Sequence, residues 1–124
     1  MLVVFALFWQ NNKMKKNNYE FNIIICGTGG QGLITLLQIL AEAALIEDYD
    51  FKSSELHGLS QRGGSVEVHI RFGKEIYSPM IARGKADLIL ALEMQESLRV
   101  IYFANQKTKF LVNKQIIPIP LAKN

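Results

Sequence analysis

The sequence has one cysteine among its 124 residues, and this scarcity excludes several kinds of site. One thiol cannot form an internal disulfide, and it cannot supply the four thiolates that usually hold an iron–sulfur cluster. His57 and His69, the two histidines, lack the further ligands that a zinc site needs. We therefore expect this chain to bind no metal. The scarcity of cysteine also predicts a reducing compartment, which points to the cytoplasm.

Proline and glycine are also few, with three and nine residues respectively. These numbers exclude collagen-like and low-complexity chains, and the 49% of hydrophobic and 20% of charged residues are ordinary for a globular protein. The length suits one domain with a core of its own.

No apolar run is long enough to cross a bilayer as a helix. The run from Leu2 to Trp9 is followed by lysines, whereas a signal peptide carries its positive charge in front. We predict no membrane segment, and we divide the chain into an N-terminal extension of residues 1–18, non-native or disordered, and a domain of residues 19–124. A weak membrane or partner anchor is the alternative role for the apolar run.

A basic surface is missing from the predicted domain. Lys13, Lys15 and Lys16 account for the net charge of +3, because the remaining basic and acidic residues balance. A nucleic-acid-binding domain needs an electrostatic footprint that this balance does not provide. We predict no nucleic-acid partner.

What is present is an alternation of strand and helix patterns. The run from Phe21 to Cys26 is apolar and β-branched and ends in glycines, as buried parallel strands do. The helix predicted from Leu33 to Ile46 has only a narrow polar stripe of Thr35, Gln38 and Glu42, so more than its sheet-facing side must be covered, by a second layer or by another subunit.

Further strands are predicted at 51–55, 65–72, 87–92 and 109–113, and a helix at 93–104. Residues 65–72 alternate between apolar and polar types, which predicts a half-exposed strand, and Gly73–Lys74 predicts a hairpin turn into a returning segment at 75–77. The pattern indicates a Rossmann-like layered α/β domain with a mainly parallel sheet and a β-hairpin. The domain looks incomplete at its C-terminus, because no helix follows the last strand.

The glycine loop, residues 27–32, follows the first strand. Gly27, Gly29 and Gly32 match G-x-G-x-x-G between a strand and a helix, with Gly30 and Gln31 inside the motif. It predicts a dinucleotide or phosphate site, with Glu55 as the best-placed ribose partner, or merely close packing of strand and helix. If Gly29 and Gly30 need a positive φ or a close backbone approach, a side chain there lowers stability.

The polar loop, residues 57–65, comes shortly after Glu55. Its side chains supply imidazole, hydroxyl, amide and guanidinium groups, and two glycines near its end let the backbone bend sharply. The candidate residues are His57, Ser60, Gln61, Arg62, Gly63, Gly64 and Ser65. One interpretation is a surface for an anion or a partner loop, and the other is a loop fixed by Arg62 pairing with Glu55. His57 and Ser60 lack a third member for a catalytic triad, so we predict no catalytic residue in this chain.

Together the two loops resemble the gamma-type domain of 2-oxoacid:ferredoxin oxidoreductases. The resemblance rests on the glycine loop with Thr35, on the stretch from Glu55 to Val66, and on Ser78–Ile81, Gly84–Asp87 and Leu92–Glu93, all in the same order. Within the family, E-x-H-G-x-x-Q-R-G-G-S-V is similar to the small beta subunit of the indolepyruvate-specific enzymes.

The resemblance implies a subunit of an enzyme that oxidatively decarboxylates indolepyruvate and other arylpyruvates to the acyl-CoA and reduces ferredoxin. Thiamine diphosphate and the iron–sulfur clusters are then expected in a partner alpha subunit, with ferredoxin and coenzyme A engaged by the complex. This chain would be non-catalytic and inactive alone. The glycine loop would serve packing or coenzyme A, and the polar loop the subunit interface or the substrate.

Three alternatives stay open at this point. The chain could be the gamma subunit of a pyruvate or 2-oxoglutarate enzyme, a free-standing nucleotide-binding module, or a remnant without activity.

Overall fold

The computed structural model describes residues 19–29, 32–57 and 64–114. Its elements in chain order are β1 (Glu20–Thr28), α1 (Leu33–Ile46), β2 (Asp50–His57), β3 (Ser65–Gly73), β4 (Leu88–Ala91), α2 (Met94–Arg99), a 3-10 helix (Ile101–Phe103) and β5 (Lys109–Val112). The extension predicted at residues 1–18 lies outside the described residues. In the described ranges, no helix combines the length and the apolarity needed to cross a membrane.

The five strands form one sheet in the order β2-β3-β1-β4-β5. β1 and β4 pair in parallel, as do β4 and β5, whereas β3 runs antiparallel to both of its neighbours. Four strands therefore share one direction, and β2 with β3 forms the antiparallel hairpin. The predicted α/β domain is confirmed, and its sheet is mixed, with two parallel and two antiparallel strand pairings.

β1 is the centre of the sheet and is buried at every position after Glu20. Its alternate side chains enter two clusters on opposite faces: Phe21, Ile23 and Ile25 on the side of α1, and Ile24 and Cys26 on the side of α2. A strand with helices on both faces needs apolar residues in both positions of its two-residue period. This explains the continuous apolar run.

α1 has the predicted bounds and buries Leu33, Leu36, Leu37 and Ala44 against the sheet. Its outward side carries the polar stripe but also large apolar side chains that stay exposed, namely Ile34, Ile39, Leu45 and Ile46. The described part of the chain thus covers one side of this helix only. The described residues do not provide the second cover expected from its composition.

The hairpin predicted at Gly73–Lys74 is wrong, because residues 75–77 form no strand. Gly73 instead lies against the start of β1, where a Cβ on Gly73 would stand 2.9 Å from the Cα of Glu20. The Lys74 N–H donates to the Tyr19 carbonyl at 3.3 Å, and the Ile76 N–H donates to Asp50 Oδ2 at 2.8 Å. The glycine serves a close approach between two strands.

The polar face predicted as exposed on β3 is only partly so, because Glu67 and Arg71 keep some exposure while His69 between them is buried. His69 is fully buried and edge-on to the Phe103 ring, with the centroids 4.9 Å apart. Its Nδ1 accepts from the Ile81 N–H at 3.0 Å, and its Nε2 lies 2.5 Å from Glu67 Oε1. Arg71 donates to the Ser78 carbonyl at 2.9 Å. The polar side chains of β3 thus hold residues 78–81, in the segment that leads to β4, against the sheet.

Candidate functional site

The candidate site lies at the edge of the sheet where the four co-directional strands end. β1 ends there at Thr28 and β4 at Ala91, while β3 begins there at Ser65. α1 follows β1 on one face of the sheet, and α2 follows the neighbouring β4 on the other face. In open α/β sheets, ligands bind outside the carboxyl ends of strands at such a reversal. The geometry therefore singles out the space above β1 and β4.

The structure brings the glycine loop and the polar loop together at this edge. Thr28 lies opposite Ser65, and Gly27 lies opposite Val66, in the β1–β3 pairing. One step further on, the Gly29 N–H donates to the Gly64 carbonyl at 3.0 Å. The described ends of two motifs that are distant in sequence are therefore in contact. Some candidates of the two loops lie outside the described residues: Gly30, Gln31, Ser60, Gln61, Arg62 and Gly63.

The glycines at this edge do not share one role. Gly32 has a φ of 82° and caps the N-terminus of α1, where its carbonyl accepts from the Leu36 N–H at 3.1 Å. That left-handed conformation favours glycine. Gly29 has no positive φ, and a Cβ there would meet its nearest atom, the Gly64 carbonyl oxygen, at 3.8 Å. Neither of the two conditions considered for Gly29, a positive φ or a close backbone approach, is met.

Glu55 and His57 lie on the edge strand of the sheet. Their side chains form an exposed pair, with His57 Nε2 3.3 Å from Glu55 Oε2. Because β3 is inserted between β2 and β1, Glu55 stands two strand spacings, about 10 Å, from β1. In dinucleotide-binding folds the ribose partner follows the strand beside the glycine loop, so the position of Glu55 argues against this interpretation.

Two polar residues that sequence reasoning did not place in the site occupy its centre. The Thr28 hydroxyl at the end of β1 donates to Glu93 Oε2, just after β4, at 2.5 Å. Both side chains are buried. The available indication was the position of Glu93, directly after a buried strand run at the edge where β1 also ends. This hydrogen bond bridges the reversal between β1 and β4.

Thr35 is exposed in the first turn of α1, the helix that follows the glycine loop. It does not join the contact between Gly29 and Gly64, which involves backbone atoms only.

Carboxylates dominate the electrostatics beneath this edge. Burial, with the nearby carboxylates of Glu96, Glu67 and Glu93, raises the pKa of the Cys26 thiol to about 12. A cluster or zinc ligand must be a thiolate, so Cys26 fits neither role. In the described ranges, no three His, Cys, Asp or Glu side chains are grouped to hold a metal. The acidic surroundings also disfavour a phosphate on this face of the sheet.

A comparison with models of protein families identifies the family of this chain. Residues 22–123 match the family model described as pyruvate ferredoxin/flavodoxin oxidoreductase. Because this match extends over most of the chain, the protein belongs to that family. The strands, both helices and the candidate site fall inside it, apart from the first residues of β1.

Curated relatives are similar over the same region. The chain is 43% identical over 99 residues to the indolepyruvate oxidoreductase subunit IorB of Thermococcus kodakarensis, which covers 80% of this chain and 49% of the relative. It is 45% identical over 100 residues to the protein of the same name from Archaeoglobus fulgidus, again covering 80% and 49%. The chain spans about half the length of these relatives.

Solved structures share the fold. The gamma subunit of a keto/oxoacid ferredoxin oxidoreductase from Geobacter sulfurreducens superposes with a TM-score of 0.58 at 25% identity, covering 77% of this chain and 51% of that one. The pyruvate oxidoreductase subunit PORC of Thermotoga maritima gives 0.61 at 22% identity, covering 78% and 51%. The second likeness concerns the fold alone.

Proposed function

We propose that this chain belongs to a small, non-catalytic subunit of an indolepyruvate:ferredoxin oxidoreductase. The enzyme oxidatively decarboxylates indolepyruvate and other arylpyruvates to the acyl-CoA and reduces ferredoxin. The observation that carries the proposal is the 42–45% identity to IorB proteins over 80% of the chain. We place the domain from residue 19 onward and the complex in the cytoplasm.

The chemistry of the described side chains supports a non-catalytic role. The reversal between β1 and β4, where a ligand would enter, is bridged by the hydrogen bond from Thr28 to Glu93. The Cys26 thiol is buried and protonated at neutral pH, since its pKa is raised to about 12. We therefore assign thiamine diphosphate and the iron–sulfur clusters to a larger partner, the alpha subunit, and no cofactor to this chain.

We assign packing to the glycine loop and the subunit interface to the polar loop. The hydrogen bond from the Gly29 N–H to the Gly64 carbonyl supports this division, because it ties the end of the polar loop to the glycine loop. The carboxylate of Glu93, which accepts a hydrogen bond from Thr28 in the glycine loop, argues against coenzyme A there, since the phosphates of coenzyme A are anionic. Coenzyme A at the glycine loop, and substrate at the polar loop, are the competing assignments.

The test is co-expression of the tagged chain with a thiamine-dependent large subunit of the same family. We expect the two to copurify, and the complex to reduce ferredoxin when given indolepyruvate and coenzyme A. The tagged chain alone and the large subunit alone are the controls, and neither should turn over. Turnover with pyruvate or 2-oxoglutarate but not with indolepyruvate would assign a different substrate. Absence of any complex, with nucleotide bound to the chain alone, would replace the proposal by a nucleotide-binding module.

A further inference from the structure

The outer side of α2 and of the 3-10 helix that follows it carries a continuous row of apolar side chains, the α2 stripe. Its members are Met94, Leu98, Ile101 and Tyr102, which are between 42% and 69% exposed. Each is three or four residues from the next in the row, so they are direct neighbours on the helix surface. The side turned toward the sheet repeats the same spacing and is buried: Glu96, Val100 and Phe103.

The segment that leads into β4 runs beside the α2 stripe. The Gly84 N–H donates to the Tyr102 carbonyl at 3.1 Å, and Asn105 Nδ2 donates to the Gly84 carbonyl at 2.7 Å. The Arg83 guanidinium lies over the Tyr102 ring, 5.1 Å from its centroid. The stripe therefore continues into a polar margin that hydrogen bonds hold in place.

The exposed charges of this part of the chain are all positive. Between residues 82 and 108 the exposed charged side chains are Arg83, Lys85, Arg99 and Lys107. The acidic residues of the same stretch are half-buried or buried: Asp87, Glu93 and Glu96. Arg99 is 64% exposed, and its Nε lies 3.5 Å from Glu96 Oε2 at the base of the helix. A surface that complements this one must therefore offer carboxylates.

The other face of the sheet carries the opposite charge. Residues 32–51, which include α1, contain no basic residue, and their exposed charges are those of Glu42, Glu47 and Asp48. The balance of acidic and basic residues along the sequence thus does not hold for each face of the domain. A second copy that packed through its own α2 would bring arginine to arginine, which disfavours self-association through this stripe.

We propose that the α2 stripe is the docking surface for a partner protein that offers a helix with an apolar seam bordered by carboxylates. An apolar centre with a charged margin is the usual anatomy of a protein interface. A helix seam presents its apolar side chains at the same spacings of three and four residues. The stripe lies on the opposite face of the sheet from the side chains of Glu55 and His57. This inference is independent of the proposed function.

The composition of the surface favours a protein over a single-stranded nucleic acid. Surfaces that bind single strands combine positive charge with aromatic rings on which the bases stack. Tyr102 is the one aromatic side chain of the stripe, and Arg83 already covers its ring. Aliphatic side chains and methionine make up the remainder, and these suit an apolar helix.

Two synthetic helical peptides test the proposal on the 124-residue chain. One has leucines at intervals of three and four residues bordered by glutamates, and the other has lysines in place of the glutamates. We expect the glutamate peptide to bind at least tenfold more tightly, and added salt to narrow the difference. Leu98→Ser should weaken its binding about tenfold. Leu45→Ser on α1, at a similar exposure of 63%, should leave it unchanged. Fluorescence anisotropy of the labelled peptides gives the affinities.

A charge reversal separates binding from a structural role. Arg99→Glu should weaken binding of the glutamate peptide and strengthen binding of the lysine peptide, whereas a structural role for Arg99 would weaken both. Circular dichroism checks that every variant keeps its fold. Equal affinity for the two peptides would overturn the proposal, as would equal losses in Leu98→Ser and Leu45→Ser. Tighter binding to a single-stranded RNA oligomer or to vesicles of anionic phospholipid would also overturn it, and so would self-association of the wild type that Arg99→Glu abolishes.

Discussion

The two histidines show how far the role of one residue type depends on its surroundings. His57 is exposed on an edge strand, where its side chain pairs with that of Glu55. His69 is buried, accepts from the Ile81 backbone through Nδ1, and meets Glu67 through Nε2. The alternation of residues 65–72 predicted the face on which His69 lies, but it could not show that residues 78–83 cover that face.

We expect His69→Leu to lower the free energy of unfolding by about 1–3 kcal/mol, because the buried Ile81 N–H then loses its acceptor. His57→Leu is the matched control and should change stability by less than about 0.5 kcal/mol, as exposed positions do. Urea denaturation followed by circular dichroism measures both. Equal losses in the two variants would contradict the structural role of His69.

Two glycines lead to opposite expectations. Gly73→Ala should destabilise the fold by more than about 1 kcal/mol, since the new Cβ would stand 2.9 Å from the Cα of Glu20 and the backbone would have to move. Gly29→Ala has room at 3.8 Å and no positive φ, so it should be neutral or slightly stabilising. Thermal melts of both variants decide this. A Gly29→Ala loss as large as that of Gly73→Ala would mean that the glycine loop needs its glycine for another reason.

The thiol of Cys26 should resist alkylation. The pKa of Cys26 is raised to about 12 and the side chain is buried, so iodoacetamide at pH 8 should modify it only after unfolding. Because the folded-state pKa lies above the ordinary value of 9.0, the folded state holds its proton longer than the unfolded chain. Stability should therefore fall as the pH rises from 9 toward 12. Mass spectrometry with and without urea measures the modification, and rapid labelling of the native protein would contradict it.

At the scale of elements, the hydrogen bond from Thr28 to Glu93 joins the ends of β1 and β4. At this point the helices that follow the two strands pack on opposite faces of the sheet. Thr28→Val removes a buried donor to a carboxylate and should cost about 1–3 kcal/mol. Thr28→Ser keeps the hydroxyl and should recover most of that loss. The two variants are compared by urea denaturation. A stable Thr28→Val variant beside a destabilised Thr28→Ser variant would mean that packing of the methyl group, and not the hydrogen bond, holds the two strands together.

Some elements follow from local patterns and others do not. The bounds of α1 are those predicted, because fourteen residues of helical spacing lie between a glycine and a polar break. The helix predicted at 93–104 instead stops at Arg99 and continues as a 3-10 turn, which sets the buried Val100 and Phe103 three residues apart on one side. Only the packing against the sheet selects that tighter winding.

The position of β3 is the clearest case of information that no local pattern contains. Its insertion between β1 and β2 moves Glu55 away from the glycine loop and brings Gly64 to it instead. Both loops could be predicted as candidate sites from their glycine and polar residues. That their described ends are in contact depends on pairing between strands about 40 residues apart.

At the scale of the whole molecule, the exposed surfaces of the domain indicate how it meets other chains. The polar loop begins and ends on the hairpin of β2 and β3, and its Gly64 end is tied to Gly29. The outward face of α1 offers apolar area on the same side of the sheet as Glu55 and His57, which lie opposite Val68 and Val66 of the α1-side cluster. The exposed pair of Glu55 and His57 thus lies on the side of the sheet that also presents the exposed apolar side chains of α1, as the polar rim of an interface does.

Arg62 is the residue of the polar loop from which we expect the largest contribution to partner binding. Arginine is enriched at interface hot spots, and its planar guanidinium can bind a carboxylate through two hydrogen bonds. Arg62→Ala should therefore weaken association with the large subunit by about 2 kcal/mol, roughly thirtyfold in Kd. Arg83→Ala is the matched control, because Arg83 is exposed in the connection to β4 at the opposite edge, where it lies over the Tyr102 ring. Calorimetric titration of the purified large subunit gives the affinities, with circular dichroism to verify folding. Unchanged affinity together with a raised KM for coenzyme A would move Arg62 from the interface to the substrate, and loss of folding would show that it pairs within the loop.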